Sequence, residues 1–277
     1  MSLSREAVAC AVERNLVYVF GQFARALPDV EFSESPDLFW MLTPLAVPVF
    51  NTLLAARLDR STVDGAIEAA KGRAAYKRLP LLWWVFAQDT PSDLGARLAA
   101  AGFAHVEGAP CLSLDLASPV PGVTVGGVGN DATEVDIRTI ASESDARDWC
   151  EVLRAGSGLP PAFGEGYLPF ARSVAALPHG PLRNYGLWWK GELVGTSSLA
   201  FDDGVGGIYN VATLAFARRR GFGTALTAHA AGEARKLGAS IAILQLSQAG
   251  FGVYRNLGFQ QIGVVDQYLW LASGAQS

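Results

Sequence analysis

The sequence predicts an α/β protein of two domains in tandem, and three observations carry that reading. The chain has 277 residues, enough for two domains of ordinary size. Along it, amphipathic helical segments alternate with short apolar strands. Near its middle the stretch "ASPVPGVTVGGVGND" gathers Pro, Gly and Ser and breaks the alternation. The expected organisation is therefore a first domain over 1–116, a linker over 117–131 and a second domain over 132–277. Half of the residues are hydrophobic and 17% are charged, a composition that buries a core.

The first half opens with "MSLSREAVACAVERN", where Arg5, Glu6, Glu13 and Arg14 mark an amphipathic helix near 4–27 and not a signal peptide. Strands follow near 38–43 and 48–56, then a helix near 63–79. The run "LLWWVFA" predicts a buried strand near 81–87. The next helix, near 91–101, has Thr90 as its cap, Pro91 at its first position and Asp93 in a capping-box position. A strand near 105–116 ends this half.

The second half starts with a strand near 134–140 and helices near 143–155 and 165–177. Strands near 184–190 and 192–201 are joined by a tight hairpin, with Lys190 and Gly191 at the turn of "WWKGELVG". A strand near 206–214, a helix near 222–237, a strand near 240–247, a short helix near 250–257 and a strand near 260–272 complete the chain. The halves share a phrase. "RLAAAGFAHVEG" and "VYRNLGFQQIGV" each close a helix on Gly-Phe and enter a strand, with Gly102 and Gly258 suited to the left-handed position. A short apolar strand precedes each phrase, and a long helix precedes that strand. Matching order in three elements favours a duplicated domain over chance.

The net charge of −4 gives no basic surplus for nucleic acid. Apolar runs stay far below the ~20 residues that cross a bilayer, so the protein reads as soluble, with no membrane partner. Cys10, Cys111 and Cys150 are widely spaced and form no CxxC, as expected of idle thiols in a reducing cytoplasm. His105, His179 and His229 lack metal-ligand spacing, so no metal site is expected.

The stretch "NVATLAFARRRGFGTAL" (210–226) is the chemically suggestive one. Leu226, Ala230, Ala234 and Leu237 form one apolar helical face, which places Gly221 and Gly223 where a strand meets that helix. The first amides of a helix have no internal partners and favour an anion. Each dipole interaction is worth only ~0.3–1 kcal/mol, but charge-assisted contacts add ~1.5–3 kcal/mol each. The pattern is neither a Walker A loop nor a dinucleotide fingerprint. Taken alone, the pattern is better explained by a structural turn.

The spacing Arg218-x-x-Gly221-x-Gly223 resembles the acetyl-CoA pyrophosphate loop of the GNAT N-acetyltransferase superfamily. The later apolar strand and "YRNLGF" resemble the family's tyrosine-bearing helix and its ending, so the likeness spans 131–272. It implies a mixed, mostly antiparallel twisted sheet flanked by helices, repeated in a degenerate first domain without the cofactor motif. It implies that Val211, Ala212 and Thr213 bind the pantetheine arm, and that Arg218, Arg219, Arg220, Gly221, Phe222, Gly223 and Thr224 surround the pyrophosphate. Direct attack of an amine on the thioester follows, with a backbone amide near Val211 donating to the oxyanion. Tyr254 becomes the general acid; the plain alternative is a packing residue. Glu165 and Tyr167, in "GLPPAFGEGYLPF", together with Asn210 and Ser247, are candidates for the acceptor pocket. The alternative for that segment is a surface loop.

Three departures stand out. Gly206-Gly207 occupy the strand where the family often has a glutamate base, Ser247 stands for a frequent asparagine, and Ala215 for a frequent proline. The expected activity is acetyl transfer from acetyl-CoA to a small-molecule or peptide amine, by a monomer or homodimer. A non-catalytic acyl-CoA sensor or carrier on the same fold is the alternative, and a purely structural partner is a third class.

Overall fold

The computed structural model describes residues 4–120, 135–246 and 254–272. In chain order its elements are α1 (Arg5–Ala26), β1 (Glu31–Glu34), β2 (Phe39–Leu42), β3 (Asn51–Leu54), α2 (Val63–Lys77), β4 (Leu81–Val85), α3 (Leu94–Ala100) and β5 (Ala104–Asp115). Then come β6 (Val135–Thr139), α4 (Glu143–Ser157), α5 (Pro161–Ala175), β7 (Leu182–Trp189), β8 (Glu192–Asp202), β9 (Val205–Thr213), α6 (Phe222–Lys236), β10 (Ile241–Gln245) and β11 (Gln260–Trp270).

Two compact units emerge, and their boundaries fall inside strands and not at the expected 117–131, most of which lies outside the described residues. The first unit comprises Arg5–Pro110 with Gly263–Ser277; the second comprises Met1–Ser4 and Cys111–Ile262. Each unit is thus completed by a strand from the other half of the sequence. In the first, Leu81–Val85 pair antiparallel with Asp266–Trp270 of β11. In the second, Ile241–Gln245 pair antiparallel with Cys111–Asp115 of β5.

The first unit has the strand order β1-β2-β3-β4-β11. Only β3 and β4 run parallel, and α2 makes the crossover between them, as parallel neighbours require. Alternation along β4 buries Trp83 among α2 and α3 residues, while Trp84 meets Phe20 of α1 with ring centres 6.1 Å apart. α1 carries a surprise. Glu13, expected on its polar face, is buried and accepts a 2.6 Å bond from Arg57, which also donates to Asp89 at 2.8 Å. At α3 the expected capping box does not form. The Thr90–Pro91 bond is cis, the helix starts at Leu94, and Asp93 engages Arg97 instead of capping.

The second unit has the order β5-β10-β9-β8-β7-β6, again antiparallel except for one pair, β9 and β10, bridged by α6. Neighbouring residues on β7 reveal two layers. Tyr185 meets His229 of α6, while Asn184 belongs to a polar network that reaches Tyr167 of α5. Ser142 caps α4 by accepting the Asp145 amide, and left-handed Gly158 ends it. α5 begins at Pro161, earlier than expected, because Pro160 is extended and Pro161 suits a first helical position. The hairpin turn is as expected, with Lys190 at φ 54° and Gly191 at φ 80°.

The shared phrase closes identically in both units. Phe103 N donates to Leu98 O at 3.0 Å and Phe259 N to Tyr254 O at 3.2 Å, with Gly102 and Gly258 at φ 89° and 90°. Both phenylalanines are buried, which completes the hydrophobic part of this helix ending. Among the described residues no helix is long and apolar enough to cross a membrane. Cys111 and Cys150 are buried and free, and burial pushes the Cys150 thiol up to about 12.

Candidate functional site

The central feature of the second unit is a divergence of two parallel strands. β9 is registered with β10 only from Val205 to Gly207, against Ile241–Ile243. Its remaining length, Ile208–Thr213, is laddered to β8 alone. Backbone donors and acceptors on that open side need other partners. The first turn of α6 stands beside the open length: the missing side chain of Gly223 faces Val211 Cγ1 at 3.8 Å and Thr213 Oγ1 at 4.0 Å.

The mouth of α6 is built for an anion. Arg219 at φ 60° and Gly221 at φ 81° turn the chain into the helix, and Gly221 is the cap. No side chain caps the helix, and no acidic residue lies in its first turn. The first amides therefore carry their partial positive charge outward. By contrast α2 of the first unit has Asp64 in its first turn, held by both Nη1 bonds of Arg97.

The three arginines differ. Arg218 folds back, donating to Gly156 O at 2.9 Å and Thr213 O at 3.2 Å, so it fastens the end of α4 to β9. Gly156 permits that approach, since a Cβ there would lie 3.1 Å from the Thr213 amide nitrogen. The Arg220 guanidinium lies 4.5 Å from the centre of the Trp189 ring, which in turn packs on Phe222, and its Nε is buried without a partner. Arg219 is exposed.

Opposite the open edge, β9 bulges. Its register with β8 shifts between Thr196 and Ser198, and Asn210 takes φ 56°. Asn tolerates this left-handed backbone better than most residues. Asn210 Nδ2 donates to Tyr167 Oη at 2.8 Å and Ser198 Oγ at 3.0 Å, Ser198 Oγ donates to Asn184 Oδ1 at 2.7 Å, and Thr196 Oγ1 donates to Asn210 O at 2.8 Å. The bulge precedes Val211 and fixes the direction of its amide.

Tyr254 lies within reach of the same helix mouth. Its phenol is hydrogen-bonded to Thr227, whose hydroxyl donates to Gly223 O at 2.8 Å. Burial raises the phenol above its ordinary value, the Thr227 contact opposing this only in part. It stays protonated across the neutral range.

The family model for acetyltransferases of the GNAT family matches residues 158–259, which include the divergent strands and the whole of α6. The likeness to that family therefore rests on this region of the second unit and not on the whole chain. Among solved structures, a GCN5-related N-acetyltransferase from Kribbella flavida is 19% identical, with 91% of this chain and 94% of that one covered and a TM-score of 0.64. A GCN5-related N-acetyltransferase from Sphaerobacter thermophilus is 17% identical, covering 96% and 93%, with a TM-score of 0.62. A tandem GNAT protein from the clavulanic acid biosynthesis pathway is 16% identical, covering 90% and 85%, with a TM-score of 0.53. At these identities the likeness is one of fold. No match was found among curated proteins.

Against the GNAT pattern, the structure explains the missing glutamate. A Cβ on Gly206 would lie 2.4 Å from Ala234 Cβ, so β9 and α6 pack too closely for any side chain there. Of the acceptor-pocket candidates, Tyr167 and Asn210 are joined, while Glu165 is exposed on α5 and is not brought to them. Tyr167 stacks with Trp149 and Phe163, so the aromatic residues of α5 are packing residues first. Ser247 lies outside the described residues. The Asn210 bulge was the feature sequence reasoning missed. Among the described residues no group of three His, Cys, Asp or Glu could hold a metal ion.

Proposed function

We propose that the second unit is an acetyl-CoA-dependent N-acetyltransferase acting on an amine of a small molecule or peptide. One observation carries the reading: an uncapped helix mouth, free of acidic residues, stands beside the unladdered length of β9. The backbone of the open edge from Val211 through Ala212 to Thr213 would receive the pantetheine arm, and the amides of Gly221 to Thr224, with Arg219, the pyrophosphate. Arg218 acts by holding α4 to β9, and Arg220 by packing on Trp189.

In the reaction the amine nitrogen forms a bond to the acyl carbon while the carbon–sulfur bond breaks. The Val211 amide donates to the oxygen that gains charge, a contribution typically worth several kcal/mol in acyl transfer (~2.7–4). Tyr254 gives its proton to the departing thiolate. With a glycine at position 206, the amine proton leaves to solvent. A weakly basic α-amine near pKa 8 pays only ~1–1.5 kcal/mol to be neutral at pH 7, against roughly 4–5 for a lysine-like amine. Weakly basic amines are therefore the preferred acceptors.

Calorimetry with acetyl-CoA, followed by thiol release across an amine panel, tests this reading. Binding and release support it. Absence of binding removes it. Binding without release selects the second reading, an acyl-CoA sensor or carrier, which the close Gly206–Ala234 packing favours. For the first unit we infer a degenerate copy of the same fold. The matching helix endings, the parallel pair bridged by one helix in each unit, and the likeness to a tandem GNAT protein support this.

A further inference from the structure

The first unit contains a hollow that the proposed reaction does not use. α2 turns small residues, among them Ala66 and Ala70, toward the larger Trp40, Leu53 and Leu81 of the sheet. Helix and sheet are therefore held apart without filling the gap, leaving about 200 Å³ with an almost wholly apolar lining. The hollow opens to solvent on one side, and apolar cavities of about 150 Å³ take up benzene-sized molecules, so by size this one has room for a ring or branched chain.

Arg73 is the one charged residue in the lining. Its side chain is 58% exposed and its guanidinium carbon lies 5.1 Å from the centre of the Trp40 ring. The Glu31 carboxylate is 3.9 Å from Arg73 but 2.7 Å from Lys77, which takes the closer ion pair. A guanidinium stacked on an aromatic face keeps its in-plane N–H groups for a carboxylate. We propose that this hollow binds a small monocarboxylic acid with an aryl or branched-alkyl body, the body between α2 and the sheet and the carboxylate on Arg73.

The test uses the full chain and phenylacetate, with 2-phenylethanol and phenethylamine as neutral and cationic counterparts, read by calorimetry. Saturable binding of phenylacetate is expected. Because the ion pair is solvent-exposed, Arg73→Gln and the neutral analogue should each weaken binding only about two- to five-fold. Ala70→Leu fills the hollow and should abolish binding while raising the melting temperature; Ala66→Leu serves if that variant does not fold. No binding at millimolar phenylacetate overturns the proposal. So does undiminished binding in both filled variants, or a cationic analogue that binds as tightly as the acid. Acetyl-CoA binding is measured on the same samples, and its presence or absence leaves this result unaffected.

Discussion

Asn210 donates through Nδ2 to the hydroxyl of Tyr167 at 2.8 Å, and this bond ties the bulge of β9 to α5. The backbone and the side chain of Asn210 contribute separately, and two substitutions separate them. Asn210→Gly keeps the left-handed backbone at φ 56° but leaves buried partners unpaired, at a cost of about 1–3 kcal/mol. Asn210→Ala adds left-handed strain of roughly 1–2 kcal/mol. Urea denaturation should therefore rank wild type above Asn210→Gly and that above Asn210→Ala. Equal stability of the two variants would mean that the bulge relaxes without its asparagine.

The contact between Gly206 and Ala234 gives a paired prediction. Gly206→Ala forces β9 from α6 and should cost about 1–3 kcal/mol by overpacking. Adding Ala234→Gly removes the opposing methyl and should recover part of the loss, although glycine costs the helix about 1 kcal/mol. A double variant less stable by the full sum of both singles would show that the two positions do not meet.

Tyr254→Phe should lower the turnover of acetyl transfer by about 100-fold, a typical general-acid contribution, with little change in acetyl-CoA affinity. The raised phenol pKa keeps the proton in place through neutral pH, so the wild-type loss at high pH should begin only above the ordinary tyrosine range. Steady-state kinetics beside calorimetry reads both quantities. Unchanged turnover would return Tyr254 to a packing role.

Asp89 makes stability depend on pH. Burial first, and then the nearby Glu13 carboxylate, push it up to about 7 despite its bonds from the Phe86 amide and Arg57. The folded state thus holds a proton between about pH 4 and 7 that the unfolded chain has released, and stability falls as pH rises through that window. The shift corresponds to ~4 kcal/mol at one pKa unit per ~1.4 kcal/mol. Denaturation at pH 5 and pH 8 should show the decline in wild type and much less of it in Asp89→Asn. An equal decline in both would assign it to other groups.

What could be read from the sequence was local. The Gly-Phe helix endings, the Lys190-Gly191 hairpin and the junction at Gly221 and Gly223 each depend on a few neighbouring residues, and each appears where expected. Features that depend on distant partners were not legible. Glu13 looks like a surface residue of α1 until Arg57 arrives from 44 positions away. Asn210 was legible as a polar pocket candidate, but the bulge it sits in shows only where β8 loses register beside it. Arg218 belongs to the anion motif by spacing, yet its side chain is taken by a carbonyl 62 positions upstream. The edge strand β1 is short and its residues are mostly exposed, so it lacks the apolar alternation that announces a strand.

The reciprocal supply of strands has a consequence for anyone dividing the gene. Splitting it at the Pro-Gly-Ser stretch yields two polypeptides, each missing the piece that flanks β4 or β10 and each carrying its counterpart's piece. Bare sheet margins promote clumping, so either fragment produced alone should precipitate, whereas joint production should let the pair reconstitute without a covalent link.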